Sequence, residues 1–335
     1  MSWNVLGHEW AETLLKQHIA RGQTRHAYLL TGPPGVGRRT LSLRFAQALN
    51  CLQPPSPGEY CGDCRMCRQI ERMQQADLSI VQAETTGGTL KVDQVRELQH
   101  TLSLTPYEAN YRVALLLRFE EAHPSAQNAL LKTLEEPADR VILLLTADSA
   151  ENLLPTIVSR CEVLRLRPLS IEKLAEALHD RWQIPVQEAS MLAHLSGGRT
   201  GKALFLRDQP DALEAYRERA EDLLRLLESS RRERFVYAES FRKKEREEIR
   251  EIYQVWLSFW RDVLLVASGA EAPLINLEKE EAIRFVAGTV GARAAHTCTA
   301  NMEQGLSRLD QNLNRQLLTE VLLMDWPRVR GIKEN

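Results

Sequence analysis

The chain has 335 residues, which at ~150 residues per domain predicts about two domains or three small ones. Hydrophobic residues make up 44% and charged residues 26%, so the composition excludes fibrous and disordered classes. A net charge of −2 excludes a strongly basic field over the whole protein. The apolar runs are far shorter than the ~20 residues that cross a bilayer, and the N-terminus has no signal-peptide pattern. We therefore expect a cytoplasmic protein that does not associate with membranes.

Strand-like and helix-like segments alternate through the first half of the chain. The apolar or β-rich runs that predict strands are 27–31, 78–82, 113–117, 141–146 and 163–166. The segments with helical spacing between them are 40–49, 92–102 and 126–134. Strands that alternate with helices favour a parallel sheet covered on both faces. This order predicts an α/β domain that ends at Pro168.

From Ser170 onward the sequence predicts helices. Ser170 followed by Glu172 and an apolar-periodic stretch is typical of a capped helix start. Helical spacing recurs at 184–195 and 201–206 and continues to the C-terminus, and the mixed charges of 231–251 indicate a solvated helix face. We predict an α/β domain at 1–167, a small helical lid at 168–208 and an all-α domain at 209–335.

A Gly-rich loop lies between the first predicted strand and the next helix, in the segment LLTGPPGVGRRT at 29–40. This is the context of a phosphate-binding loop, whose backbone N–H groups face an anion. Its glycines are Gly32, Gly35 and Gly37. The loop departs from G-x-x-x-x-G-K-[ST], because Arg38 stands in the lysine position and Arg39 in that of the Mg²⁺-binding hydroxyl. Arginine has no acceptor atom and so cannot bind Mg²⁺.

The other groups that ATP hydrolysis needs are also altered. Thr40 carries a hydroxyl but lies one residue too late, about 100° around the helix. The strand that should supply an acidic partner ends at Arg118, and Glu120 and Glu121 after it are either a metal-binding pair or surface charge. The pattern predicts a loop that descends from a nucleotide site but does not support hydrolysis, and a purely structural turn is the alternative.

Four of the six cysteines fall within seventeen residues, as Cys51, Cys61, Cys64 and Cys67. In a reducing compartment such a cluster indicates a metal site and not a pair of disulfides. Two overlapping C-x2-C turns with a fourth cysteine at a helix end match the tetrahedral sulfur ligands of zinc. Since protein fills all four positions, we predict a structural Zn²⁺ at 51–67, with free or redox cysteines as the alternative.

These motifs occur in the order seen in the bacterial DNA polymerase III clamp loaders, which are AAA+ proteins. The segments that carry the resemblance are GPPGVGRRT, the cysteine insert, NALLKTLEEP (128–137), LLPTIVSRC (153–161) and SGGRTGKAL (196–204). The chain resembles the δ′ type over its whole length. The match is detailed in the α/β domain and rests on pattern alone in the C-terminal domain.

The resemblance implies roles for individual residues. Arg160, in Ser159-Arg160-Cys161, matches the arginine finger that reaches the ATP of a neighbouring subunit. The sensor position of the fourth strand falls at Thr146 or Ala147. The lid arginine of active members is replaced by Gly201. Together with the altered loop, these differences imply a subunit that activates ATP held by its neighbours and does not hydrolyse ATP itself.

The resemblance also implies partners: γ/τ ATPase subunits, a δ subunit, the sliding clamp, and primer–template DNA through the assembled complex. The C-terminal helices would form the collar of this hetero-oligomer, and ATP would be bound by the neighbouring subunits. Two alternatives stay open from the sequence. One is an active γ/τ-type ATPase, which Arg38, Arg39 and Gly201 disfavour. The other is a zinc-dependent DNA-binding protein on an inactive P-loop scaffold, which the lack of a basic charge excess disfavours.

Overall fold

The computed structural model describes residues 3–85, 88–309 and 313–332. Its contacts divide the chain into two compact units. The first unit contains the residues up to Leu169 together with Arg199–Lys202. The second contains Ser170–Gly198 and the residues from Ala203 onward. The three-domain division with boundaries at 167 and 208 stays a prediction.

The first unit is built on a five-stranded parallel sheet, as the alternating pattern predicts. Its strands are β1 (Ala27–Thr31), β2 (Leu78–Val81), β3 (Arg112–Leu116), β4 (Val141–Ala147) and β5 (Glu162–Arg165). They lie in the order β2-β3-β4-β1-β5, and every pairing is parallel. Each strand begins and ends within one residue of its predicted bounds. The predicted fold class is confirmed.

Helices cover both faces of this sheet. They are α1 (Glu9–Ala20), α2 (Arg38–Asn50), α3 (Arg65–Glu71), α4 (Val92–Leu102), α5 (Pro124–Glu135) and α6 (Pro155–Val158). Residues of β1 alternate between two apolar clusters, with Tyr28 and Leu30 in one and Ala27 and Leu29 in the other. Because side chains of a strand alternate between its two faces, both faces of β1 are buried. The carboxyl ends of parallel strands meet at one edge, which is where α/β proteins bind ligands.

The chain from Ser170 onward is helical, as predicted. Its helices are α7 (Ile171–Trp182), α8 (Val186–Ser196), α9 (Thr200–Asp208), α10 (Pro210–Glu228), α11 (Arg231–Glu239), α12 (Arg246–Ala267), α13 (Glu280–Leu309, kinked at Gly291) and α14 (Arg315–Met324). Three buried tryptophans pack edge-on in the second unit. The Trp256 and Trp326 rings lie 5.0 Å apart, and the Trp260 and Trp326 rings 5.8 Å apart. No helix in the part of the chain that the structure describes is long and apolar enough to cross a bilayer.

The prediction of a solvated face at 231–251 is wrong for Arg234, which is only 3% exposed. Its guanidinium donates to five backbone carbonyls at 2.6–3.2 Å, those of Leu226, Leu227, Leu323, Trp326 and Pro327. These carbonyls lie at or just beyond the C-terminal ends of α10 and α14. The last carbonyls of a helix have no partner within the helix, so a buried donor is needed where two such ends meet. Arg234 supplies it.

Candidate functional site

The Gly-rich loop begins where β1 ends, between the neighbouring strands. The Gly32 N–H donates to the carbonyls of Ala147 (3.2 Å) and Asp148 (3.1 Å), just beyond the Thr31–Ala147 pairing of β1 with β4. Gly32 has φ +144°, and a Cβ there would lie 2.3 Å from the Leu166 carbonyl oxygen. Only glycine fits this position, because the backbone that follows β5 passes so close to the loop.

Arg38, in the lysine position of the loop, forms an ion pair within the chain. It is the first residue of α2, and its side chain is 8% exposed. Its Nη1 lies 2.8 Å from Oδ1 of Asp148, the residue that follows β4. Arg39 and Thr40 lie on the exposed side of α2. The loop therefore presents neither a free lysine equivalent nor an inward hydroxyl for Mg²⁺.

Glu120 joins this ion pair from the end of β3. Burial, together with the negative charge and hydrogen bond of Asp148, raises the pKa of Glu120 to about 7, although a backbone hydrogen bond and the charge of Arg38 oppose the rise. Two carboxylates in contact cannot both ionise easily, so the pair holds a proton near neutral pH. Glu121 lies instead beside Arg118, with 3.4 Å between Oε1 and Nε. The structure thus brings Arg38, Asp148 and Glu120 together at the edge where a metal-binding acid would act.

Gly201, which the resemblance aligns with the lid arginine of active members, packs directly on the loop backbone within the same compact unit. Its N–H donates to the Gly35 carbonyl at 2.8 Å. A Cβ at position 201 would lie 2.8 Å from that same oxygen, so a side chain does not fit there without movement. His8 adds a second contact, because its Nε2 lies 2.9 Å from the Val36 carbonyl. Carbonyls of the loop are therefore paired inside the protein.

Thr146, one of the two candidate sensor residues, uses its hydroxyl to join two strands. Its Oγ1 accepts a hydrogen bond from the Arg118 N–H at 2.9 Å and lies 3.5 Å from the Leu116 carbonyl. The side chain is almost fully buried. Ala147, the other candidate, has no polar side-chain atom. The hydroxyl of Thr146 thus holds the end of β3 against β4.

The four clustered cysteines converge at the end of α2, as their spacing predicts. Their Sγ atoms all lie within 4.8 Å of one another. The Cys51 and Cys61 sulfurs are 3.5 Å apart, and the Cys61 and Cys67 sulfurs 3.9 Å apart. Four sulfurs at 2.3 Å from one tetrahedral zinc would be separated by about 3.8 Å. The donor set and its spacing fit a zinc ion.

Backbone N–H groups point at the sulfurs of this cluster. The N–H of Cys61 donates to Cys51 Sγ and that of Cys64 to Cys61 Sγ, both at 3.3 Å, and the N–H of Cys67 donates to Cys64 Sγ at 3.4 Å. Such bonds stabilise thiolates, the form that binds metal. The Gln47 side chain donates to the Cys67 carbonyl at 2.8 Å, which ties the cluster to α2.

Arg160 lies just beyond α6 with its side chain 35% exposed. Its Nη2 contacts Glu135 Oε1 at 2.7 Å and its Nη1 donates to the Thr156 carbonyl at 2.9 Å. Glu135 is the last residue of α5, in the segment NALLKTLEEP. A surface ion pair of this kind is weak and easily exchanged for another anion. The side chain can therefore turn toward a second molecule.

Two of these partners, Asp148 and Glu135, were not predicted from the sequence. Asp148 directly follows a buried strand, at the edge where β1 and β4 end together, and this position is a signal that sequence reasoning could have used. Glu135 belongs to the segment NALLKTLEEP, and nothing in that segment distinguishes it as a partner of Arg160. Its contact with Arg160 depends on the packing of α5 against α6.

The strand order, the Gly-rich loop between β1 and α2, and the acidic groups at the strand ends define a P-loop NTPase fold of the AAA+ class. Residues 7–170 match the family model described as DNA polymerase III, delta subunit, and residues 210–328 match the model for the C terminal of the delta subunit. The chain belongs to this family of DNA polymerase III clamp-loader subunits, and the resemblance carried by its motifs is confirmed.

Two relatives named as delta′ subunits match 60% and 93% of this chain. Over 205 residues it is 38% identical to DNA polymerase III subunit delta′ of Pseudomonas aeruginosa, covering 60% of this chain and 61% of that protein. Over 316 residues it is 27% identical to the delta′ subunit of Bacillus subtilis, covering 93% of each. The tau subunit of Escherichia coli is 31% identical over 211 residues, which cover 62% of this chain and 32% of tau.

Among solved structures, a gamma subunit-related protein of Thermotoga maritima aligns over 96% of this chain and 98% of its own, at 19% identity and a TM-score of 0.47.

Proposed function

We propose that this chain acts as a δ′-type subunit of a bacterial DNA polymerase III clamp loader and does not hydrolyse ATP itself. It would help to load the sliding clamp onto primed DNA during replication, beside γ/τ ATPase subunits and a δ subunit. The observation that carries the proposal is the ion pair of Arg38, at the end of the loop, with Asp148, which follows β4. Because the Arg38 side chain is only 8% exposed, its guanidinium stays with Asp148 and is not free to meet the phosphates of ATP.

Three further features support the proposed loss of hydrolysis. The exposed Arg39 and Thr40 leave Mg²⁺ without the hydroxyl that P-loop enzymes supply. The pKa of Glu120 is raised to about 7, so this carboxyl is partly protonated near neutral pH and is a poor metal ligand. Gly201 contacts Gly35 where a lid arginine would have to enter. An active γ/τ-type ATPase would need a different arrangement of these groups before it could use ATP.

Arg160 is the group that would act in catalysis, on ATP held by a neighbouring subunit. Its permanent charge and planar donor fork suit the γ-phosphate. Arginine fingers of this kind contribute about 10³–10⁵ in rate. In the isolated chain Glu135 holds the guanidinium, and a phosphate with more charge would compete for it.

Cys51, Cys61, Cys64 and Cys67 would hold a structural zinc. The ion would crosslink the end of α2 to α3 and so stabilise the insert, with no open position for chemistry. The helical second unit would supply the collar contacts of the hetero-oligomer.

The direct test is ATP hydrolysis by the purified chain. We expect turnover no faster than that of a variant with Gly37→Ala, which distorts the loop at a residue with φ +113°. Turnover of about 1 s⁻¹ that is lost in Glu120→Gln would overturn the proposal. In a second experiment, the chain is mixed with γ/τ, δ, clamp and primed DNA, and clamp loading and ATPase are measured. If the chain increases neither clamp loading nor ATPase there, it is not a clamp-loader subunit.

A further inference from the structure

An open cavity of about 420 Å³ lies between the first turn of α1 and the end of β5, within the first compact unit. It is lined by Gly7, Trp10, Arg165, Arg167 and Pro168. None of these residues belongs to the Gly-rich loop, the cysteine cluster or the Arg160 ion pair. The cavity is therefore a separate feature of the surface, and its volume falls in the range of about 300–1,000 Å³ found for ligand sites.

Trp10 supplies the aromatic wall. It is the second residue of α1, whose buried face carries Ala11 and Leu15, so its indole points away from the core. The side chain is 49% exposed, whereas four other tryptophans are at most 4% exposed, namely Trp3, Trp256, Trp260 and Trp326. Gly7 lets the chain turn tightly before α1, since a Cβ there would lie 2.7 Å from the Leu169 side chain. The turn and the helix together hold the indole at the cavity.

Two arginines, Arg165 and Arg167, supply positive charge beside the aromatic wall. Leu164 and Leu166 are buried, and the Leu166 N–H continues the ladder of β5 with β1 by donating to the Thr31 carbonyl at 2.7 Å. Because side chains of an extended chain alternate, Arg165 and Arg167 project from the opposite, exposed side. Within residues 3–85, 88–309 and 313–332, neither guanidinium has a carboxylate or hydrogen-bond partner. Two positive donor groups thus face solvent at one cavity.

Glu9, the acidic residue beside Trp10 on α1, already has a hydrogen-bond partner. Glu9 accepts a hydrogen bond from the Gly7 N–H at 3.1 Å, through Oε1. Its charge reduces the positive potential at the cavity but leaves both guanidiniums in place. An indole face beside two unpaired guanidiniums suits a ligand with a flat ring and an attached oxyanion. Aromatic side chains stack on nucleobases, and arginine binds phosphate through its donor fork.

We propose that this cavity binds a nucleotide, with the base stacked on Trp10 and the phosphate held by Arg165 and Arg167. The ligand is either a free nucleotide or one unit of a nucleic acid strand, since both present the same base and phosphate. This contact is independent of the proposed function, because it uses no residue of the phosphate loop and none of the groups around Arg160.

Tryptophan emission of the full chain tests the proposal. We expect AMP or a 5′-phosphorylated ten-residue oligothymidylate, added at low salt, to quench part of the emission. Trp10→Phe should remove that quenching, whereas the matched control Trp182→Phe should retain it. Anisotropy of a labelled oligonucleotide, or competition with AMP, gives the affinity. We expect the double variant Arg165→Gln/Arg167→Gln to weaken binding about tenfold, because two charge-assisted contacts are lost.

Controls separate this site from general charge attraction and from the phosphate loop. The variant Arg231→Gln/Arg232→Gln removes the same charge from an exposed turn of α11 and should leave binding unchanged. Quenching by the oligonucleotide alone identifies a strand as the ligand, and quenching by AMP alone identifies a free nucleotide. The proposal is overturned if neither ligand quenches, if Trp10→Phe keeps the signal, or if both double variants weaken binding equally. Melting temperatures check that every variant is folded.

Discussion

The guanidinium of Arg160 lies 2.7 Å from the carboxylate of Glu135, at the surface of the first compact unit. Both side chains are partly exposed, so water and salt screen the pair and its contribution to folding is small. An arginine that acts in a neighbouring active site has to be accessible and has to exchange its partner. The contacts with Glu135 and the Thr156 carbonyl hold the guanidinium beside α6, and their exposure is compatible with the proposed role in a neighbouring site.

Arg160→Ala is expected to leave the fold and complex assembly intact and to impair the assembled loader. Clamp loading with clamp and primed DNA should fall by about tenfold or more, because a finger contributes at least that much at its own site. Steady-state ATPase should fall less, since other sites keep their own groups. Arg160→Lys should rescue poorly, because a point charge cannot replace the bidentate fork. The measurements are assembly, ATPase and loading in one reconstitution.

Glu135→Gln is the matched control for that experiment. It breaks the same ion pair but keeps the guanidinium, so loading should stay near the wild-type level. If Arg160→Ala assembles fully and loads clamps as well as wild type, Arg160 is an ordinary surface residue. If Glu135→Gln is as defective as Arg160→Ala, the pair matters for local structure and not for catalysis in trans.

The cysteine cluster predicts one zinc per chain. We expect metal analysis of protein purified without chelator to give a ratio near one, and the Cys61→Ser/Cys64→Ser variant to give none. Loss of the ion should lower the melting temperature, because zinc binding to thiolates contributes directly to folding. Cys298→Ser, a buried cysteine of α13 outside the cluster, is the control that should keep the metal. Absence of zinc from the wild-type protein would refute the site.

Glu120 should make stability depend on pH. Its folded pKa of about 7 lies above the ordinary value of 4.5, so the folded state holds the proton more tightly than the unfolded state does. The stability that this provides is present below pH 4.5 and is lost as the pH rises to about 7. Melting temperatures of wild type and Glu120→Gln should therefore differ in slope between pH 5 and pH 7.5. Glu121→Gln is the control, and parallel curves for Glu120→Gln and wild type would contradict the raised pKa.

Arg234→Gln should destabilise the second unit. The substitution leaves several of the five helix-end carbonyls without a donor, at a cost of about 3 kcal/mol. Chemical unfolding monitored by tryptophan emission would measure the loss, since three tryptophans lie in that core. Arg232→Gln, on the exposed side of the same helix, should change stability by less than about 0.5 kcal/mol. Equal stability of the two variants would mean that water replaces the buried donor at little cost.

Much of the first unit follows from local pattern. Hydrophobic runs and helical spacing depend on neighbouring residues, so the five strands and the helices α2, α4 and α5 were predictable to within two residues, whereas the short helices α3 and α6 were not predicted. The cysteine cluster was predictable for a similar reason, because C-x2-C turns bring their sulfurs together whatever the rest of the fold does. The residues Arg38, Arg39 and Gly201 likewise predicted, before any contact was known, a site that does not support ATP hydrolysis.

Packing between distant segments decided what those residues touch. Asp148 reaches Arg38 because β4 pairs with β1, Glu135 reaches Arg160 because α5 packs on α6, and Arg234 is buried because two helix ends meet around it. The sequence around an arginine does not show whether its side chain is solvated, ion-paired or buried. Its state is set by which carboxylates and carbonyls the fold brings within about 3 Å, and by how far water is excluded there.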